Sequence, residues 1–332
     1  MRSLHSRQTY DKTQQKNEKV LCLTMWFKNI LFYRFTKPFE MSSDELSSAL
    51  SSENFKPCGP HDLAQLGWSP VLGQESSEFV HVTDKYWMIC LQKQERILPS
   101  SVVNEQVALR AAEIEEQQHR KVSRKEKSEL KDQITTELLP RSFTRTVRHF
   151  AYLCPKDGYL VVNTSSAKLA DEFTAHLRKT IGSLPVRLPE VNNAPSTLMG
   201  SWVTMDAPVP SGFEVGFECE LVSNGEDKGS IKYKGLELDT DQVKQNIESG
   251  MEVTRLELTW RESISFVLGS DLSLKRLKFA DVLQEKFDDI EAEDAAGQFD
   301  AGFAIMAMEF DRLIPELLEC FGGEDTSAIV EA

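Results

Sequence analysis

The chain has 332 residues, of which 27% are charged, and its 38 basic and 52 acidic side chains give a net charge of −14. This length is enough for two or three domains with a sizeable core, and no apolar run approaches the ~20 residues that a membrane-spanning helix needs. The six cysteines form no C-x-x-C pair. We therefore expect reduced, mostly buried thiols in a cytoplasmic protein that is not a membrane protein, and no disulfide framework.

The negative charge is concentrated near the C-terminal end. Residues 281–332 hold fifteen acidic and two basic side chains, a net charge of −13, so residues 1–280 sum to −1. Salt screens electrostatic fields beyond roughly 10 Å. The low pI therefore leaves room for a polyanionic partner elsewhere on the molecule, and we expect the acidic segment to face away from such a partner.

The N-terminal residues differ from everything that follows. Residues 1–24 are polar and basic, without the apolar segment of a secretory signal. At Met25 the composition changes to MWFKNILFYRF, which predicts a strand over Trp26–Phe35. We expect Met25 to begin the folded protein and residues 1–24 to be a disordered extension, upstream of the true start. A mitochondrial-type leader is the alternative.

Two helices are predicted between Pro99 and Pro140. Apolar residues recur at helical spacing in the first helix, and Ser123 with Glu126 forms a capping box that begins a second one. Between these apolar stretches only Val122 is strongly apolar, so the tip should project into solvent. From Arg120 to Arg148 nine basic side chains stand against four acidic ones. The pattern favours a projecting basic helical pair, although a plain solvated helix is the more common meaning of such a charge run.

The remaining chain alternates strands and helices. A helix is predicted after Ser166, another is capped by Asp239 with Gln242, and Ser273–Phe279 is a basic strand or turn. The apolar residues of the acidic C-terminal helix step by four and three, which is more often core than a dimer coil. The predicted parts are an N-terminal α/β part (25–98), a helical basic arm (99–144), strands and a helix that complete the central domain (145–200), and a C-terminal α/β part with acidic helices (201–332).

Catalytic signatures are absent from the sequence. No Walker loop, G-x-G-x-x-G, H-E-x-x-H or G-x-S-x-G motif occurs, and no pair of histidines has metal-ligand spacing. Glu129 and Lys131 have the E-x-K form of some nucleases, but the preceding hairpin aspartate is missing. We therefore predict a protein that is not an enzyme and that uses neither a cofactor nor a metal.

The basic side chains have one consistent use, which is contact with phosphates. Such contacts position a protein on nucleic acid without conveying sequence, and no base-reading helix or strand is visible. Lysine on a strand edge is also common as protection against aggregation. The candidates for nucleic-acid contact are Arg120, Lys121, Arg124, Lys125, Lys127, Lys131, Arg141, Arg145, Lys232, Lys234, Lys275, Arg276 and Lys278.

An ordered set of short segments resembles the recombination-associated RdgC family of bacteria. The segments are WFKN from Trp26, FKPCG from Phe55 with Gly67-Trp68, ILPS from Ile97, LLPRSFTR from Leu138, LPV from Leu184 and SLKRLKF from Ser273. They cover residues 25–322, nearly the whole chain. The resemblance implies a ring-shaped homodimer that binds DNA with little sequence preference, encircles the duplex, and restrains the recombinase in homologous recombination and replication-fork repair.

The resemblance also assigns roles to residues. Phe143 in LLPRSFTR is similar to the aromatic side chain at one dimer contact. The basic residues between 120 and 131, with Lys232, Lys234, Lys275 and Arg276, are similar to residues lining the ring. The expected partners are DNA, double-stranded with single strands left open, and a second copy of the chain, in the cytoplasm at the nucleoid. The expected fold is mixed α+β, with antiparallel-rich sheets, the basic helical pair and acidic C-terminal helices. The alternative is a protein-interaction factor that acts through those acidic helices without direct DNA binding.

Overall fold

The computed structural model describes residues 26–73, 76–225, 229–288, 290 and 294–327, so the predicted N-terminal extension lies outside the described residues. The strands are β1 (Asn29–Phe35), β2 (Ala64–Ser69), β3 (Val80–Thr83), β4 (Tyr86–Ile97), β5 (Phe143–Cys154), β6 (Tyr159–Val162), β7 (Val186–Arg187), β8 (Phe213–Ser223), β9 (Ser230–Lys234), β10 (Met251–Trp260), β11 (Ile264–Gly269) and β12 (Leu274–Phe279). The helices are α1 (Ser43–Ser52), α2 (Ser100–Gln118), α3 (Arg124–Leu138), α4 (Ala167–Ile181), α5 (Pro195–Thr204), α6 (Asp241–Glu248), α7 (Asp281–Asp288) and α8 (Ala295–Glu319).

The chain divides into two compact units. Among the described residues, unit 1 consists of 26–43, 81–88 and 151–327, and unit 2 of 44–73, 76–80 and 89–150. The strands of unit 1 follow the order β5, β6, β1, β12, β11, β10, β8, β9, with β7 beside β1, and these pairings are antiparallel. This arrangement confirms a mixed α+β fold with a large antiparallel sheet.

Helix α8 forms the centre of the unit 1 core. Its stripe of large apolar side chains is buried, as the four-and-three spacing predicts for core packing: Phe299, Phe303, Met306, Phe310, Leu313 and Leu317. Trp26 donates from Nε1 to the carbonyl of Gly302 (3.1 Å), and Phe279 of β12 lies with its ring centroid 5.9 Å from that of Phe310. The helix continues through Pro315 to Glu319.

Unit 2 is built on the strand order β2, β4, β5. Residues 64–69 of β2 pair antiparallel with residues 90–95 of β4. Trp68 is buried and its backbone bonds to the segment after α1, where Phe55 N–H donates to the Trp68 carbonyl (2.7 Å). Gly67 makes this approach possible, because a Cβ there would lie 2.4 Å from the Phe55 Cα. Trp68 and the glycine before it thus hold the segment after α1 against β2.

Two details of the predicted helices differ in the structure. The cap of α6 is Thr240 with no side-chain hydrogen bond, so the predicted cap by Asp239 with Gln242 is wrong. The predicted box at Ser123 and Glu126 is present in full. In the part of the chain that the structure describes, no helix combines the length and apolarity needed to cross a membrane. The five described cysteines are free, and three of them are buried.

Candidate nucleic-acid interface

The helical pair of unit 2, defined as α2 and α3, is held together by a few apolar contacts and several polar ones. Val103 and Ala111 of α2 and Ile134 of α3 are buried, and between residues 115 and 129 the only buried residue is Val122. Arg110 donates to both carboxylate oxygens of Glu137 across the pair (3.1 and 2.9 Å). The chain reverses at His119, whose φ of 51° lies in the left-handed region.

The start of α3 is fixed by a capping box with an added arginine. Ser123 Oγ accepts from the Glu126 N–H (3.3 Å), and the Glu126 carboxylate accepts from the Ser123 N–H (2.8 Å). Arg120 donates to the same carboxylate through both terminal nitrogens (3.0 and 2.5 Å). Hydrogen bonds, first from Arg120 and then from Ser123, lower the pKa of Glu126 to about 2. Arg120 is therefore a structural partner of the cap rather than a free cation.

Three exposed cations of α3 lie on one side of the helix. Arg124, Lys127 and Lys131 share a face at 3.6 residues per turn, and all three are exposed without an ion pair among the described residues. Two of the three interleaved acidic side chains are engaged elsewhere, since Glu126 binds Arg120 and Glu129 lies 3.9 Å from Lys125. The stripe therefore keeps its positive charge.

Three further predicted cations flank this stripe in unit 2. Lys121 precedes α3, Arg141 ends the 3-10 turn Leu139–Arg141, and Arg145 lies in β5. All three are exposed, and in the described ranges none has an acidic group within 4.0 Å of its charged nitrogens. Arg141 lies close enough to contribute to the lowered pKa of Glu137, after Arg110.

The turn after α3 is held by an arginine that the sequence analysis did not single out. Arg96 of β4 donates to the carbonyls of Leu139 (3.0 Å) and Ser142 (3.2 Å), and also to that of Gly59 (3.0 Å). These bonds fix the backbone on which Phe143 begins β5, with 84% of its surface exposed. The only sequence signal was the position of Arg96 next to Ile97 in the ILPS segment.

Phe143 belongs to an apolar end of the unit 2 sheet. Leu63 precedes β2, Ile97 ends β4 and Phe143 begins β5. Arg96, next to Ile97, donates from its N–H to the Leu63 carbonyl and from its guanidinium to the Ser142 carbonyl, so the three apolar residues lie at one end of the strands. Their exposed fractions are 64%, 46% and 84%. Exposed apolar residues that share one place commonly mark an interaction surface, whereas single ones do not.

The five remaining candidates lie in unit 1, on strands β9 and β12. We call the group formed by Glu218, Glu220, Lys232, Lys234, Arg255 and Arg276 the ion-pair face. Lys232 and Lys234 lie opposite Glu220 and Glu218 in the β8–β9 register. Lys275 and Lys278 of β12 have no acidic partner within 4.0 Å in the described part of the chain, and Lys278 is exposed.

Carboxylates engage much of the positive charge on the ion-pair face. Arg276 donates to Glu218 (2.5 Å), and Glu220 binds both Lys232 (3.4 Å) and Arg255 (2.7 Å). The hydrogen bond from Arg276, followed by the charges of Arg276 and Lys234, lowers the pKa of Glu218. Arg276 and Lys232 are thus less available to a ligand than the stripe on α3.

One cluster in unit 1 has the side chains of a metal site. Cys154 Sγ and the carboxylates of Asp157 and Asp311 lie within 4.8 Å of one another. Lys85 Nζ lies 2.7 Å from each carboxylate, between the two acids. Burial raises the pKa of Cys154 to about 12, which disfavours the thiolate that binds metals. The lysine ammonium already lies between the two carboxylates, so a divalent metal would have to displace it from this cluster.

Comparisons with known proteins agree on one family. A family model described as "Putative exonuclease, RdgC" matches residues 25–324. A recombination-associated protein RdgC of Psychromonas ingrahamii is 42% identical over 302 residues, which is 91% of this chain and all of the relative. The protein of the same name from Aeromonas hydrophila is 42% identical over 303 residues, with the same coverage. That of Pseudomonas fluorescens is 39% identical over 303 residues, 91% of this chain and 99% of the relative.

Proposed function

Because the chain belongs to the RdgC family of recombination-associated proteins, we propose that it is a non-sequence-specific DNA-binding protein. In this proposal a ring-shaped homodimer encircles duplex DNA in the cytoplasm, at the nucleoid. It modulates homologous recombination and replication-fork repair by covering DNA that the recombinase would otherwise use. The role in recombination follows from the family, whereas DNA contact and the ring are our proposal.

The observation that carries DNA binding is the stripe of Arg124, Lys127 and Lys131. Three exposed cations on one helical face, none of them with an ion pair to a residue that the structure describes, form a local positive surface in a protein whose net charge is −14. Such a surface attracts the phosphates of the DNA backbone. The counterions that are released from the DNA supply the free energy of binding. Contacts to phosphates convey no base sequence, so we expect weak sequence preference.

The observation that supports a homodimer is the apolar end of the unit 2 sheet. Phe143 extends from a turn that Arg96 fixes, so little conformational entropy remains to be lost when it enters a pocket on a partner. Aromatic side chains of this kind dominate the binding energy of many interfaces. A second copy of the chain is the partner that a closed ring requires.

The test is fluorescence anisotropy of labelled duplexes with unrelated sequences, titrated across a salt series in EDTA. We expect similar affinities for all sequences, with log K falling linearly with log[salt]; the slope divided by ~0.9 counts the phosphates contacted. Binding that is absent at ~0.1 M salt, or that does not depend on salt, would remove the DNA proposal. Sedimentation of the same samples reports the oligomeric state.

The acidic C-terminal helix gives little support to the alternative of a protein-interaction factor. Several of its carboxylates are already engaged inside unit 1: Asp311 binds Lys85, Glu316 binds Arg261, and Asp300 lies 3.0 Å from His81. Carboxylates that are paired within the fold are poor ligands for a basic partner. Loss of DNA binding in the anisotropy experiment would return attention to the acidic side chains that remain exposed.

The family model's description raises nuclease activity, which the cluster at Lys85 does not support. Lys85 Nζ lies 2.7 Å from each of the two carboxylates, so a magnesium ion, which needs near-octahedral oxygen ligands, would first have to displace the ammonium. Incubation of end-labelled duplex with the protein and Mg²⁺ tests this directly. We expect intact DNA; shortened products that EDTA prevents would establish a metal-dependent nuclease activity.

A further inference from the structure

The ion-pair face of unit 1 has an asymmetric burial. The carboxylates lie low, with side chains 16% exposed at Glu220 and 24% at Glu218. The cations extend above them, with side chains 64% exposed at Lys232, 45% at Arg255 and 47% at Arg276. A ligand that approaches from solvent therefore meets the cations first, and each glutamate holds its cations from below.

The backbone conformation at Arg276 directs its side chain toward Glu218. Ser265 pairs with Lys278 and Val267 with Lys275, so β12 places two residues opposite Phe266 and forms a β-bulge. Arg276 occupies this bulge with a φ of 55°, a left-handed conformation that is uncommon for arginine. Its N–H donates to Asn29 Oδ1 (3.0 Å), which satisfies the group that the bulge removes from the strand ladder. Bulges of this kind redirect side chains at functional sites.

We propose that Glu218 and Glu220 compete with the phosphates of duplex DNA for the cations of the ion-pair face. They hold Arg276, Lys232 and Arg255 in place over the sheet, and a phosphate binds these cations only by taking them from a carboxylate. The inference rests on the proposed DNA binding and names a regulation of its strength. An encircling protein that must move along DNA needs contacts that break easily, and a carboxylate that recaptures the released cation provides such contacts.

The consequence is that fewer cations contact DNA phosphates than this face contains. An exposed ion pair is weak, so a phosphate competes with it, but the uncovered carboxylate then repels the phosphate. Replacing the carboxylate with an amide of the same shape removes the competitor and leaves the cation. Each cation that gains a phosphate should steepen the salt slope by ~0.9, equivalent to about eightfold tighter binding at 0.1 M salt if the proteins converge at 1 M.

The experiment compares Glu218→Gln, Glu220→Gln and their combination with the wild-type protein by duplex anisotropy across the salt series. The matched control is Glu252→Gln on the neighbouring strand β10, where the carboxylate accepts from Asn224 (2.6 Å) and no ion pair to it is found in the described ranges. The control removes one negative charge from the same sheet without freeing a cation. Circular dichroism and thermal unfolding show that each variant is folded.

We expect Glu218→Gln, which frees Arg276, to bind about eightfold tighter at ~0.1 M salt, and Glu220→Gln, which frees two cations, to bind about sixtyfold tighter. Both should have a steeper salt slope, and the control should change by less than about twofold. A double-mutant cycle sharpens the result, since Arg276→Ala should weaken binding more in the Glu218→Gln background than in the wild type. Equal effects of Glu218→Gln and Glu252→Gln would overturn the competitor role and leave DNA binding intact. Binding by neither the wild type nor the variants would overturn both proposals, whereas binding by the variants alone would support the competitor role.

Discussion

The helical pair in unit 2 and the ion-pair face in unit 1 use the same side chains in opposite ways. On α3, Arg124, Lys127 and Lys131 are exposed without ion pairs in the described part of the chain. On the ion-pair face, Arg276 and Lys232 are bound to glutamates of β8. Composition makes the two regions look alike, and only the position of each carboxylate separates a free cation from a paired one.

The difference arises from secondary structure. On α3 the acidic residues bond along the chain, with Glu126 in the cap and Glu129 one turn from Lys125. In an antiparallel sheet, residues far apart in sequence lie side by side, so Glu220 meets Lys232 and Arg255 directly across strands. The stripe of cations on α3 is therefore left without ion pairs among the described residues, whereas most cations of the ion-pair face are bound to glutamates.

Charge reversal on α3 should have the largest effect. Replacing Arg124, Lys127 and Lys131 together with glutamate should flatten the salt slope by ~2.7 and weaken duplex binding at least a hundredfold at ~0.1 M salt. These side chains are exposed, so thermal unfolding should change little. Anisotropy measures both the slope and the affinity.

The control for this triple variant is reversal of Lys232, Arg255 and Arg276, whose cations are already paired. It should weaken binding much less. Equal losses in the two triple variants would show that the ion pairs do not limit the cations of unit 1. Arg120 is left out of the first set because its reversal would also disturb the cap at Glu126.

Replacement of Phe143 with alanine should weaken self-association by about 2 kcal/mol, or roughly thirtyfold in Kd, as for a central aromatic residue of an interface. The side chain is 84% exposed, so the monomer should stay folded. Analytical ultracentrifugation across concentrations gives the Kd. Met205→Ala is the control, because Met205 is exposed by 66% in unit 1; a dimer as tight in Phe143→Ala as in this control would reject the role of Phe143.

The sequence was informative wherever local pattern determines structure. The box at Ser123 and Glu126, the buried spacing of α8 and the strand that ends at Phe35 all follow from neighbours within a few residues. The cap of α6 was wrong because Thr240 and Asp239 both suit the N-cap, and side-chain type alone does not choose between adjacent positions.

The candidate site was less predictable because its decisive contacts are long-range. Arg276 meets Glu218 across 58 positions and Arg96 meets Leu139 across 43. Neither contact has a local signal, and the bulge at Arg276 depends on strand register. The basic residues could be named from sequence, but their availability to phosphates required the structure.

A single-residue comparison should give a smaller effect in the same direction. Lys127→Ala removes an exposed cation without an ion pair among the described residues, so we expect about eightfold weaker binding at ~0.1 M salt if Lys127 contacts one phosphate. Lys232→Ala removes a cation that Glu220 already holds, and we expect a change of less than about threefold. Anisotropy under identical conditions decides, and a greater loss at Lys232 than at Lys127 would reverse the ranking of the two regions.

The smallest effect concerns pH at the start of α3. The folded pKa of Glu126 is lowered to about 2 from an ordinary value of 4.5, first by Arg120 and then by Ser123. A lowered carboxylate pKa means that the cap is fully effective above pH ~4.5 and is lost as the pH falls through about 2. The protection of the Ser123 and Glu126 amide protons against exchange should therefore fall as the pH drops towards 2, and their exchange rates should approach the intrinsic ones. In Arg120→Gln, carbon NMR of the Glu126 carboxyl should show a higher titration midpoint; an unchanged midpoint would mean that Arg120 does not hold the cap and is as free as Arg124.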